Sequence, residues 1–177
     1  RGDIASHFGG FYTSLEFDLT NIFNLYNHRQ ILELGRSCIH KDYRNGITMK
    51  LLWRGIAEYV KLYDIDILLG CASFPGIDVQ KFSKELSYLK SNFSLPDEMS
   101  VQSLVNNNYP IYNNNNNIKG SDLRIFAKLP PLIKGYLRVG GGISDSFFVD
   151  YDFNTIDLCI VVKTENINEK YKKKFLN

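Results

Sequence analysis

Long apolar runs are missing from these 177 residues. No stretch approaches the roughly 18 residues that a membrane-spanning helix needs, and the start lacks the charged-then-apolar layout of a signal peptide, so a soluble, cytoplasmic segment is expected. Cysteine is scarce and odd in number. Cys38, Cys71 and Cys159 include two within apolar, strand-like runs, which argues against a disulfide framework and for reduced thiols packed as small hydrophobes. A strong excess of either charge is also absent: the net charge is +2 and the pI near 8.4, too weak for a nucleic-acid binder but compatible with an acidic protein partner or an anionic membrane surface. The chain opens on Arg1 rather than methionine, and residues 1–12 carry no strong pattern, so a fragment is expected.

What is present suffices for one domain. A hydrophobic content of 44% over this length supports a sizeable core and is too little for two ordinary domains. Thr13 and Glu16 have capping-box spacing ahead of a short helix carrying Leu15, Leu19, Ile22 and Phe23. Residues 31–40 read as a strand, followed by a tight loop over 41–46. Met49, Leu52, Trp53, Ile56, Tyr59, Val60 and Tyr63 then recur at helical spacing, the clearest helix in the sequence. Residues 65–74 form a second strand, and Asp78 caps a helix whose Val79, Phe82, Leu86 and Leu89 are its inner stripe. Residues 92–122, with asparagine at 106–108 and 113–117, offer little apolar surface and read as a flexible surface loop, centred on 100–120. A helix entered through Pro130 and Pro131, a break at 140–142, and strands over 146–149 and 155–163 close the order, with 165–177 charged and exposed. The alternation of strands and helices indicates an α/β class.

Chemistry on the residues alone concentrates at 42–46. A loop feeding a helix N-terminus presents unpaired amides and the positive end of the helix dipole to an anion, and Arg44 adds a charged donor. Asp42 reads as a turn former and His40 as a strand-end residue. The glycines at 140–142 lack the strand-then-helix setting of a phosphate loop and read as a turn. Asp150, Asp152 and Asp157 have no His or Cys at ligand spacing; they read as turn and strand-end residues, and no metal is expected.

Several separate blocks, in order, resemble the ornithine N-acyltransferase family of the GNAT superfamily. They are residues 32–40 (LELGRSCIH), 42–46 (DYRNG), 51–55 (LLWRG) and 69–73 (LGCAS), with further matches at 10–12, 16–19, 129–138 and Asp150 through Asp157. The resemblance implies a central, mostly antiparallel mixed sheet flanked by helices, with two strands splayed to admit a pantetheine arm, and the family's N-terminal strands missing here. In this reading residues 1–177 are the central and C-terminal part of one such domain. The implied reaction moves a (3-hydroxy)fatty acyl group from the phosphopantetheine thioester of acyl carrier protein, or from acyl-CoA, to the α-amine of ornithine or a similar amine. No bound cofactor is implied. The implied donor contacts are Arg44, Asn45, Gly46 and Ile47. Only the arginine of the superfamily's pyrophosphate loop is in register, which favours a carrier with a single phosphate.

As catalytic candidates the resemblance offers Glu33, a lone acid in an apolar strand suited to take a proton from the amine, directly or through water, or to orient it, and Arg36, which orients Glu33, binds the donor or merely neutralises the acid. Tyr88 is a further candidate, to protonate the leaving thiolate. Lys41, Lys50 and Arg54, with Arg44 and Lys61, gather basic charge near the expected donor entrance, where they either steer an acidic carrier protein or form a solvated helix face. A peripheral association with the inner membrane face accompanies this reading. The competing readings are an acyl-homoserine-lactone-synthase-like or other GNAT enzyme, and a non-catalytic module that binds an acyl carrier or a lipid surface.

Overall fold

The computed structural model describes residues 1–105 and 123–167. In order, its helices and strands are α1 (Gly2–Ala5), β1 (Phe17–Asp18), α2 (Thr20–Leu25), β2 (Ile31–Glu33), α3 (Gly46–Leu62), β3 (Ile67–Pro75), α4 (Ser83–Phe93), β4 (Gln102–Ser103), α5 (Leu123–Lys128), α6 (Pro131–Arg138), β5 (Gly142–Ile143), β6 (Phe148–Asp150) and β7 (Thr155–Lys163). The asparagine-rich tract and the end of the charged tail lie outside the described residues.

The alternation along β7 organises the molecule. Successive side chains point to opposite faces of a strand. Ile156, Leu158, Ile160 and Val162 therefore enter one core, while Cys159 and Val161 enter another, and all are buried. β7 pairs antiparallel with β3 over nine residues, from Ile67↔Lys163 to Pro75↔Thr155. Its other edge carries β5 and β6, also antiparallel, while β2 adds to β3 in parallel. The result is the expected mixed, mostly antiparallel sheet with helices against it. On the first face, Leu68, Ala72 and Phe74 join Leu86 and Leu89 of α4 and Ile133 and Leu137 of α6. On the second, Ile67 and Leu69 meet Phe11, Phe17, Ile22, Met99 and Val101. Each fully buried Leu, Ile or Phe in these clusters contributes about 1.5–3 kcal/mol.

The structure departs from the sequence expectation in four places. Thr13 and Glu16 form no capping box: the Thr13 hydroxyl donates to Glu33, and the backbone N–H of Glu16 bonds to Thr13 O within a 3-10 turn over Tyr12–Leu15. The loop expected over 92–122 places Met99 and Val101 in the second core and Gln102–Ser103 in a two-residue pairing with β1, because isolated apolar residues fill the core without a periodic run. The stripe of α3 is only partly covered; Trp53, Ile56 and Val60 pack on the first core, while Met49, Leu52 and Tyr63 remain exposed along with Ile47 and Leu51.

The fourth departure creates the site. The strand expected over 31–40 ends at Glu33. Leu34 N still donates to Leu69 O at 2.8 Å, but Arg36 takes φ +50°, a left-handed conformation that ends extended pairing. Beyond that point β3 continues to Pro75 without β2 beside it, so the two strands splay. At the root of the split the backbones approach closely: a β-carbon on Gly70 would stand 2.5 Å from Leu34 O.

Candidate functional site

The splay opens a cavity of about 740 Å³ on the second face of the sheet. Its position follows from the alternation just described. Ile67 and Leu69 on β3, with Val161 on β7, belong to the core; further along the same faces, Cys71 and Ser73 lie opposite Cys159 and Asp157. The face thus passes from apolar to polar along its length, and its polar end is the cavity floor, completed by Thr155 and by Asp150 at the end of β6.

The 3-10 turn Tyr12–Leu15 roofs this floor, and Glu33 fastens it. Glu33 Oε2 accepts from Tyr12 N at 3.0 Å, and Oε1 accepts from Thr13 N at 2.7 Å and Thr13 Oγ1 at 2.6 Å. Both oxygens of this carboxylate are therefore engaged in charge-assisted bonds to the turn.

Behind the roof, Glu16, Asp150 and Asp157 are buried together, with oxygens within 4.8 Å of one another, near enough to converge on one small cation. Glu16 is 4% exposed, and burial is the main cause that raises its pKa from 4.5 to about 7. The hydrogen bond from Cys71 Sγ at 3.2 Å opposes this rise, and the charges of Asp157 and Asp150 add to it. Asp157 is also pushed up, chiefly by burial, with its neighbours Ser73 and Thr155 opposing the rise. Its Oδ1 is buried and accepts no hydrogen bond. An acceptor in that state calls for a donor. Asp150 Oδ1 accepts from Phe153 N at 2.8 Å. Burial raises the Cys71 and Cys159 thiols well above their ordinary range, so both are neutral and unsuited to nucleophilic attack.

Of the residues singled out in the sequence, Glu33 and Arg36 line the cavity. Arg44, Asn45, Gly46 and Ile47 do not; they form the entry to α3. Asn45 is its N-cap, accepting from Ile47 N and Thr48 N at 3.0 and 2.9 Å, while Arg44 Nε donates to Ile39 O at 3.0 Å. Lys41, Lys50 and Arg54 are exposed on this turn and helix, outside the cavity lining. His40 and Asp42 shape the preceding turn, where Asp42 N donates to His40 Nδ1 at 3.4 Å. Tyr88 is 5% exposed, packs edge-on to Phe93 and does not line the cavity. Gly140, at φ +99°, makes a turn between α6 and β5.

Sequence reasoning gave no functional role to Glu16, Asp150 and Asp157, reading the two aspartates as turn and strand-end residues. The signal for Asp157 was present, since it interrupts an apolar central strand just as Glu33 does. Glu16 was obscured by its spacing from Thr13, and Asp150 by its place beside a turn.

A family model described as the acetyltransferase (GNAT) domain matches residues 1–54, a segment that includes Glu16, Glu33 and Arg36. The chain is 36% identical over 174 residues to the L-ornithine N(alpha)-acyltransferase of Rhodobacter capsulatus, covering 98% of this chain and 65% of that protein. It is 34% identical to the protein of that name from Rhizobium meliloti, covering 97% of this chain and 57% of the relative, and 33% identical to that of Brucella abortus, covering 97% and 60%. No solved structure matches. The chain thus spans about 57–65% of the length of these curated relatives. Similarity over 97–98% of this chain thus relates its 177 residues to a part of each of these L-ornithine N(alpha)-acyltransferases.

Proposed function

We propose that the protein to which this chain belongs transfers a long (3-hydroxy)fatty acyl group from the thioester of acyl carrier protein to the α-amine of ornithine. The observation that carries the reading is the set of buried carboxylates at the cavity beside the stretch of β3 that runs on past the end of β2. An amine acceptor is cationic at neutral pH and is drawn to such a set. Arg36, the one cationic residue among the described residues lining the cavity, is suited to the carboxylate of an amino-acid acceptor. The four relatives named as ornithine acyltransferases support the choice of amine.

The donor enters from the opposite side. Past Gly70 the edge of β3 has no strand on β2's side among the described residues, which suits the amides of a pantetheine arm. Arg44 and the α3 entry at Asn45, Gly46 and Ile47 receive its phosphate. Asn45 already occupies two of the amides there, so Arg44 carries more of that contact than an uncapped helix terminus would require. Lys41, Lys50 and Arg54 steer the acidic carrier protein, with acyl-CoA the other donor of the same thioester chemistry. Glu33 acts by fixing the roof over the acceptor. No described helix is long and apolar enough to cross a membrane, and a lipid product places the work at the inner membrane surface, reached peripherally from the cytoplasm. In the domain layout we infer, residues 1–177 supply the central and C-terminal part of a single acyltransferase domain.

Expression of the intact gene, followed by lipid extraction and mass spectrometry, tests this reading. A new ornithine-linked acyl amide is the expected product, and cells whose lipids contain no amino-acid-linked acyl amide would refute it.

A further inference from the structure

We propose that the buried pair Glu16 and Asp157 is the acceptor site for the ammonium group: Asp157 Oδ1 holds it, and Glu16 takes its proton. The inference rests on the reading of the cavity as the place of amine acylation and assigns the base to the residue behind its roof, next to the lining carboxylates Asp150 and Asp157.

Three observations carry it. Asp157 Oδ1 is a buried acceptor with no donor, in a residue that lines the cavity, and an ammonium supplies that donor. Glu16 lies beside it, with carboxylate oxygens of the two within 4.8 Å, and accepts from the Cys71 thiol at 3.2 Å. Glu33, the other carboxylate on the cavity wall of β2, already accepts three hydrogen bonds from the roof. The titratable groups around Glu16 are Tyr12 on its own segment, Cys71 on β3, Asp157 and Cys159 on β7, and Asp150 at the end of β6. Arg36 faces the same cavity. A pKa of about 7 matches a base that must be half ionised near neutrality.

The step balances without a co-reactant. The ammonium gives one proton to the Glu16 carboxylate, and the neutral amine then attacks the thioester carbonyl carbon. A C–N bond forms and the C–S bond breaks; the departing thiolate takes the second nitrogen proton and leaves as thiol. Glu16 returns its proton to water.

The test is the pH profile of kcat/KM for the full-length protein with L-ornithine and a long-chain acyl thioester of acyl carrier protein. Wild type is expected to show an acid limb near pH 7. Glu16→Gln is expected to lose about a hundredfold or more and to lack that limb. Asp150→Asn keeps the oxygen that accepts from Phe153 N but removes a charge that raises Glu16, so its acid limb moves to lower pH. A purely structural role for the cluster would not move the limb. Wild-type rate and limb in Glu16→Gln would overturn the inference and leave acyl transfer standing; if that variant does not fold, an unmoved limb in Asp150→Asn overturns it. Activity lost on chelation and restored by a divalent ion would give the cluster to a metal and overturn it as well. A wild type that acylates no amine overturns both the inference and the function on which it rests.

Discussion

Replacing Glu33 by Gln separates two roles that a sequence cannot tell apart, a base at the reacting atoms and a fastener for the roof. In the structure the carboxylate accepts three bonds of 2.6–3.0 Å from Tyr12 and Thr13. A glutamine keeps one acceptor oxygen and turns an NH2 toward the remaining backbone N–H, so one bond becomes a donor facing a donor and the other two lose their charge assistance. Bonds to a charged group contribute about 1.5–3 kcal/mol each. Because the Tyr12 contact is exposed, the net loss is about 2 kcal/mol. Equilibrium urea unfolding should show that loss with an unchanged slope. A double-mutant cycle with Thr13→Ala should return a coupling of about 1 kcal/mol. Turnover should fall in step, because the acceptor's cover is loosened. Full stability combined with lost turnover would refute this account and return Glu33 to the reacting atoms.

Two further outcomes follow from the same geometry. Asn45→Ala removes the cap of α3 and should lower stability by about 1 kcal/mol in urea unfolding, with a smaller change for Asn45→Gly. Glu16 makes the fold sensitive to pH: an acid whose folded pKa lies above its unfolded value holds its proton more tightly when folded, so it costs nothing below about 4.5 and most above about 7. Glu16→Gln should therefore be more stable than wild type at pH 8, by at most about 3 kcal/mol, with the gain gone by pH 4.5 in parallel urea titrations.

Periodicity made much of the fold legible. The helix of Gly46–Leu62, the strand of Ile67–Pro75, the Asp78 cap and the central strand of Thr155–Lys163 all follow from spacing and from capping or breaking residues. Elements of two residues were not legible, since β1, β4 and β5 are too short to show a period and exist only because a partner lies beside them. The end of β2 was lost for another reason: the run 31–40 stays partly alternating, while the backbone turn at Arg36 that ends pairing has no mark in side-chain polarity. The site divides in the same way. Glu33 stood out as a lone acid in an apolar strand, whereas Glu16 meets Asp150 and Asp157 only across a chain separation of more than a hundred residues.

Gly70 bears on more than local fit. The two strands touch beside it because no side chain stands between them, and they fan apart immediately afterwards. Any β-carbon there would act as a wedge driven in at the root of the fan, widening the aperture from below. The gauge of the mouth is therefore recorded at a position with no functional group of its own. Reshaping the pocket for a bulkier or slimmer guest has to leave that position untouched.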